Sequence, residues 1–184
     1  MKNYTVRPYK KEDIPDIVET VHQVYIEYDL GWYPDDYHSD LYHIDRDFPA
    51  DKAAFFVAEL NGKVVGCGGV QYYHPLPGKP GELVTIDNLN RIAASDCSLE
   101  RIYVRPSARK IGIGSQLTLQ CIKAAKKQGC SIMEIWNDKL FTDATRLYQK
   151  LGAQLIGDRI GYDPDSSQEW GLFLNLKMTP QSKY

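Results

Sequence analysis

A chain of 184 residues with 43% hydrophobic and 25% charged side chains is long enough to bury a core, and a single domain over residues 1–184 is expected. Its 22 basic and 24 acidic residues give a formal charge of -2 and are scattered, which argues against general attraction to nucleic acid or to an anionic membrane surface. The opening Met1-Lys2-Asn3-Tyr4-Thr5-Val6 has no apolar signal core, and no run approaches the ~20 apolar residues that cross a bilayer, so a cytoplasmic location is expected.

Val6 falls in a short first strand, and Pro8 leads into an acidic helix start at Lys11-Glu12-Asp13. Ile14, Ile17, Val18, Val21, Val24, Tyr25 and Tyr28 then recur at helical spacing, with Gly31 expected to end that helix. From Trp32 to Pro49 aromatics (Trp32, Tyr33, Tyr37, Tyr42, Phe48) alternate with acids (Asp35, Asp36, Asp40, Asp45, Asp47), a pattern of loop and short helix. It has two readings: an acidic, aromatic lining for a cationic amine, or a solvated face with its aromatics in the core.

Ala54–Leu60 and Lys63–Tyr72 read as strands joined by Asn61-Gly62, the strongest short hairpin signal. Glycines 66, 68 and 69 in the second strand point to a bulge or to close packing. Residues 74–96 are rich in Pro and Gly and longer than a simple hairpin needs; a strand is expected at Leu83–Ile86 and a helical turn at Asn88–Ala94.

Leu99-Glu100-Arg101-Ile102-Tyr103-Val104 is a buried-strand candidate that Pro106 stops, since proline has no N–H for the ladder. Arg109-Lys110-Ile111-Gly112-Ile113-Gly114-Ser115 follows and opens a helix whose Gly114, Leu117, Cys121, Ala124 and Ala125 share a face. A helix starting at Gly112 leaves its first N–H groups without partners and suits an anion. Two glycines let a pyrophosphate approach the backbone, while Arg109 and Lys110 supply charge. Spacing excludes a Walker loop, because Ser115-Gln116 follows Gly114 where Lys-Ser/Thr is required. A dinucleotide fingerprint fails as well, since Leu117 takes the place of its third glycine.

Gly129 stops this helix, and Ile132–Trp136 is expected as a strand parallel to the one at residue 99 because a helix connects them. Thr142–Gly152 reads as a further helix capped at or near Thr142, and Gln154–Arg159 and Glu169–Lys177 as two last strands around an exposed turn. Cys67, Cys97, Cys121 and Cys130 show no paired spacing and are expected to act as small buried residues. His22, His38, His43 and His74 form no ligand pattern, so no metal is expected.

The loop Arg109, two residues, Gly112, one residue, Gly114 resembles the acetyl-CoA loop of the Gcn5-related N-acetyltransferase (GNAT) superfamily, and Tyr148 with Gly152 resembles its second motif. The order of elements over nearly the whole chain is similar to that α/β (α+β) fold. It implies a mixed, mostly antiparallel sheet of about seven strands flanked by about four helices, with a splayed parallel strand pair.

The resemblance implies acetyl-CoA as co-substrate, held by Arg109, Lys110, Ile111, Gly112, Ile113, Gly114 and Ser115 at its pyrophosphate. The backbone of a bulged strand at Ile102, Tyr103 and Val104 would pair with pantetheine. Tyr148 would act as general acid toward the CoA sulfur, and Glu100 is the candidate base, with pairing to Arg101 or Arg105 or exposure to solvent as its other readings. Ala153 stands where the family usually has Phe, and Phe141 where it often has Asn, for which Asn137 is the candidate substitute.

The function implied is direct acetyl transfer to a primary amine of a small molecule or protein, with a homodimer as an option. The alternative is an acyl-CoA-binding sensor without turnover. The segments 30–49, 74–96 and 161–168 would choose the acceptor.

Overall fold

Alternating apolar residues and turn signals set nine strands and four α-helices in residues 4–178, which a computed structural model describes. Seven strands form one mixed sheet, in the order 4–8, 53–60, 63–72, 97–104, 132–138, 168–175 and 154–160, and the strands at 83–86 and 89–92 form a separate two-stranded sheet. The residues group into two compact units, one of residues up to 71 with 100–124, the other of 72–99 with 125 onward.

In the first unit β1 (Tyr4–Pro8), β2 (Ala53–Leu60) and β3 (Lys63–Tyr72) are antiparallel neighbours. Asn61 and Gly62, both at positive φ (52° and 77°), make the tight turn between β2 and β3. Helix α1 (Ile14–Glu27) buries Ile17, Val21, Val24 and Tyr25, the face its spacing predicts. It does not end at Gly31. Asp29 takes the left-handed position (φ 54°), and the Leu30 N–H donates to the Tyr25 carbonyl (3.0 Å) in a Schellman closure. Asp serves there because its short polar side chain tolerates that region.

The acidic, aromatic stretch then forms a 3-10 turn (Ser39–Tyr42) and the short α2 (Ile44–Asp47). Leu41, Ile44 and Phe48 enter the same core as α1, β2 and β3. Burying each such side chain contributes about 1.5–3 kcal/mol.

In the second unit β4 (Leu83–Ile86) and β5 (Leu89–Ile92) form a hairpin around Asp87-Asn88, both left-handed (φ 50° and 64°). The helical turn expected at Asn88–Ala94 is therefore a strand. An Asp-Asn pair is a hairpin turn pair, and Leu89 and Ile92 are apolar at the two ends of a four-residue strand.

β6 (Cys97–Val104) starts in this unit, where Cys97, Ser98 and Leu99 lie parallel to Met133, Glu134 and Ile135 of β7 (Ile132–Asp138). α4 (Thr142–Lys150) begins at Thr142 itself, with Phe141 before it and no side-chain cap from that residue. Gly152 (φ 98°) closes α4, with the Ala153 N–H donating to the Tyr148 carbonyl at 3.0 Å. β8 (Gln154–Ile160) and β9 (Gln168–Asn175) complete the unit as an antiparallel pair.

Candidate functional site

The first unit carries the strand, loop and helix that the sequence singles out. After Leu99, β6 crosses Arg101 at φ 53°, a left-handed angle that a non-glycine residue adopts at a cost of order 1–3 kcal/mol. The side chain supplies the compensation. Its Nε donates to Asp40 Oδ2 (2.8 Å), and its Nη2 to Asp40 Oδ1 (3.0 Å) and the Tyr37 carbonyl (2.6 Å). The guanidinium lies 4.5 Å from the Tyr37 ring centre and its side chain is only 9% exposed. No local pattern announces this ion pair, which spans 61 residues.

Around this turn the backbone is pinned on its inner side. The Arg101 carbonyl accepts the Cys67 thiol (3.4 Å), a thiol that burial pushes up to about 12. Tyr25 and Tyr103 share a hydroxyl–hydroxyl hydrogen bond of 3.2 Å, and burial raises the Tyr103 phenol above its ordinary range. Ile102, Tyr103, Val104 and Glu100 are all half-buried in this unit. Arg105 donates to Thr20 Oγ1 (2.9 Å) and its Nη2 lies 3.8 Å from Asp16 Oδ1.

The loop beyond β6 starts when the Arg105 N–H donates to the Val65 carbonyl (2.8 Å), then makes a 3-10 turn at Pro106–Ala108. Arg109 fixes the loop to the strand it left, its Nε donating to the Val104 carbonyl at 3.1 Å. Its two terminal nitrogens meet Glu27 of α1 at 2.9 and 2.6 Å. Lys110 (φ 65°) and Gly112 (φ 93°) are left-handed. The Gln116 N–H donates to the Gly112 carbonyl at 3.1 Å, so helix α3 (Ile113–Lys127) starts directly after that glycine. The first-turn amides of Ile113, Gly114 and Ser115 have no carbonyl one turn earlier in the helix to meet. The helix dipole adds roughly half a positive charge at that end.

α3 reaches this position because β3 offers glycines under it. A Cβ at Gly66 would lie 3.1 Å from Ile113, from Leu117 and from the Tyr103 carbonyl, and one at Gly68 would meet Ile102 at 2.4 Å. Close packing thus accounts for these two residues, and Gly69 makes room for Phe48 (2.7 Å) in the same way.

In the second unit Tyr148 sits on α4, 4% exposed, and Asn137 ends the buried part of β7. The Asn137 amide nitrogen meets the Asp138 and Phe141 carbonyls (3.0 and 3.2 Å) and Thr145 Oγ1 (2.9 Å), so it orders the start of α4. This unit also holds a carboxylate that sequence reading passed over. Glu134, 1% exposed, accepts from Arg91 Nε (2.6 Å), Tyr73 Oη (2.8 Å), the Ile92 N–H (2.9 Å) and Trp136 Nε1 (3.0 Å). Burial alone would raise its pKa, but Arg91 and the Ile92 amide outweigh it and hold the group below the usual range. Glu134 therefore anchors the 74–96 segment.

Part of the aromatic stretch is spent inward. Trp32 stacks on His38 with ring centres 4.0 Å apart, and Asp40 and Tyr37 serve Arg101. Asp35, Asp36 and Tyr42 are exposed. Among the described residues no helix is long and apolar enough to cross a membrane.

A family model described as Acetyltransferase (GNAT) family matches residues 18–153. An uncharacterized N-acetyltransferase of Methanocaldococcus jannaschii is 29% identical over 152 residues, 83% of this chain; the chain spans 61% of that relative's length. One of Escherichia coli is 27% identical over 155 residues, covering 82% of this chain and 81% of its own. Among solved structures, a putative acetyltransferase from Salmonella typhimurium, crystallised with acetyl-CoA, is similar with a TM-score of 0.66 at 18% identity, over 97% of both chains.

Proposed function

This chain belongs to the acetyltransferase (GNAT) family, and on that premise we propose that it is an acetyl-CoA-dependent N-acetyltransferase, a single domain that acetylates a primary amine by direct attack. The observation that carries this reading is the start of α3. Left-handed Lys110 and Gly112 turn the loop into a helix start whose amides carry partial positive charge. That cradle fits a pyrophosphate.

In this reading Gly112, Ile113, Gly114 and Ser115 meet the pyrophosphate through their backbone, with Arg109, Lys110 and Ile111 beside them. Arg109 reaches a phosphate by exchanging Glu27 for it. The backbone of Ile102, Tyr103 and Val104 holds the pantetheine arm, beyond the three residues Cys97–Leu99 that are in register with β7. Asn137 acts by ordering the loop into α4, the helix that carries Tyr148.

The co-substrate supplies a thioester. The chain's part is to position it and to move one proton off an amine with a pKa near ~10.4 and one onto a thiolate whose acid has a pKa near ~8.5. Tyr148 gives the second proton, and Glu100 takes the first, directly or through water. Holding both reactants in one site supplies roughly 7 to 11 kcal/mol of the barrier reduction. The acceptor is a small-molecule amine or a protein amino group.

The test is thiol release from acetyl-CoA across amines, polyamines, amino acids, aminoglycosides and peptides, with CoA binding followed in parallel by thermal shift. Turnover on one class is the expected result. Stabilisation by CoA with no turnover on any class would replace the enzyme by a binding protein, and no stabilisation would overturn the cradle.

A further inference from the structure

Cys97 and Cys130 are 33 residues apart in number and show no motif, yet the fold brings them together. Gly129 (φ 90°) ends α3, and the Cys130 N–H donates back to the Ala125 carbonyl at 3.0 Å, which turns Cys130 toward the start of β6. Asp96 and Cys97 occupy that start. The parallel register of Cys97 with Met133 sets residues 130–132 alongside.

One carboxylate oxygen of Asp96 and the two sulfurs lie within 4.8 Å of one another. The carboxylate is oriented by backbone: the Ser131 N–H meets its oxygens at 3.0 and 2.8 Å, and the Ile132 N–H at 3.0 Å. The sulfurs rest on carbonyls, Cys97 on Ile132 (3.5 Å) and Cys130 on Asp96 (3.7 Å). Cys97 is buried, while Asp96 and Cys130 are half-buried, so the cluster has an open side.

We propose that Asp96, Cys97 and Cys130 form a binding site for one thiophilic divalent cation of the Zn2+ class. Two thiolates and a carboxylate are a soft, tetrahedral donor set with one position left for water on the open side. Hard cations such as Mg2+ and Ca2+ prefer all-oxygen shells. The two amides that hold the carboxylate orient it as outer-shell partners orient metal ligands. Binding displaces one proton from each thiol to solvent and changes no oxidation state. The bound ion would tie the start of β6 to the residues before β7. None of the three residues belongs to the proposed acetyl-transfer machinery, so the two readings fail separately.

The reduced full chain is titrated with Cd2+ while thiolate-to-metal ultraviolet absorbance and proton release are followed, and Zn2+ is then added in competition. One Cd2+ per chain, about two protons released, and displacement by Zn2+ are expected. Cys130→Ser, checked for folding by circular dichroism, should bind at least about tenfold more weakly and show a clearly smaller absorbance at saturation, since one of the two thiolates is gone. Should that variant not fold, maleimide labelling of the wild type gives the same answer: Zn2+ should slow labelling of Cys130, the half-buried thiol of the cluster, and leave the buried Cys67 and Cys121 as they were. No stoichiometric uptake, absorbance undiminished in Cys130→Ser, protection elsewhere, or an air-formed Cys97–Cys130 disulfide in a chain that takes up no metal when reduced would each overturn the site.

Discussion

Arg101 adopts a backbone angle that its own side chain maintains, and the physics of that residue is testable. Asp40→Ala leaves a buried guanidinium without its carboxylate, and should destabilise the chain by about 1–3 kcal/mol in urea unfolding. If the bulge also presents the strand to pantetheine, CoA binding should weaken in step, which calorimetry would detect.

Tyr148→Phe removes only a hydroxyl. The expected result is a loss of turnover of about 10²–10⁴-fold with CoA affinity held within a few-fold, read from kcat and from the dissociation constant separately. Equal kcat would remove Tyr148 from the acid role.

Glu134 makes a pH prediction with a definite sign. Its folded pKa is lowered, so its stabilising contribution is complete above the unfolded value of about 4.3 and is lost as pH falls through the lower folded value. Glu134→Gln should therefore be about 1–3 kcal/mol less stable than the wild type near neutrality, with the gap closing in acid. A gap that stays constant from neutral pH down through the carboxylate range would show that the carboxylate's charge is not what stabilises the 74–96 segment.

At the scale of elements, the phosphate loop depends on one backbone angle. Gly112 at φ 93° lies where a Cβ is strained whatever the surrounding space. Gly112→Val should weaken CoA binding by at least about tenfold, a factor that corresponds to about 1.4 kcal/mol. Unchanged affinity would move the pyrophosphate elsewhere.

Much of this element was legible because glycine, proline and periodicity act locally: Pro106 after the strand, Gly112 before the helix and Gly129 after it all stand where the pattern put them. Asn61-Gly62 was legible for the same reason. The failures have an equally physical origin. Asp29 does the work expected of Gly31 because an Asp can take a left-handed cap, and β5 was read as a helical turn because four residues are too few for period 2 to show against period 3.6. Side chains that act across the chain were the least visible. Asp40 with Arg101, Glu27 with Arg109, and Glu134 with Arg91 involve ordinary charged residues that carry no signal until the fold pairs them.

For the whole molecule, CoA should act as a folding ligand. At a concentration of ~100 times its dissociation constant it stabilises by about 2.7 kcal/mol, which for a chain of this length raises the thermal midpoint by roughly 5–10 °C. Differential scanning fluorimetry checks this before any acceptor is known. The family was readable from the spacing of Arg109, Gly112, Gly114, Tyr148 and Gly152. The acceptor was not: in 30–49 several of the acids and aromatics turn out to serve the core and Arg101, and 74–96 and 161–168 are turn-rich stretches with no recognition pattern.

The interleaving of the two units along the chain has a consequence for how the protein is made. One unit needs residues up to 71 and then 100–124, while the other needs 72–99 and then everything from 125. During synthesis the first set is complete once residue 124 has left the ribosome. At that moment residues 72–99, including the β4–β5 hairpin and Asp96-Cys97, have yet to meet β7 and β9. Their unpaired strand edges and apolar side chains must wait for later residues to arrive. A nascent chain stalled just beyond residue 124 is thus the species with the most to gain from a chaperone, and release of the remaining chain should end that dependence.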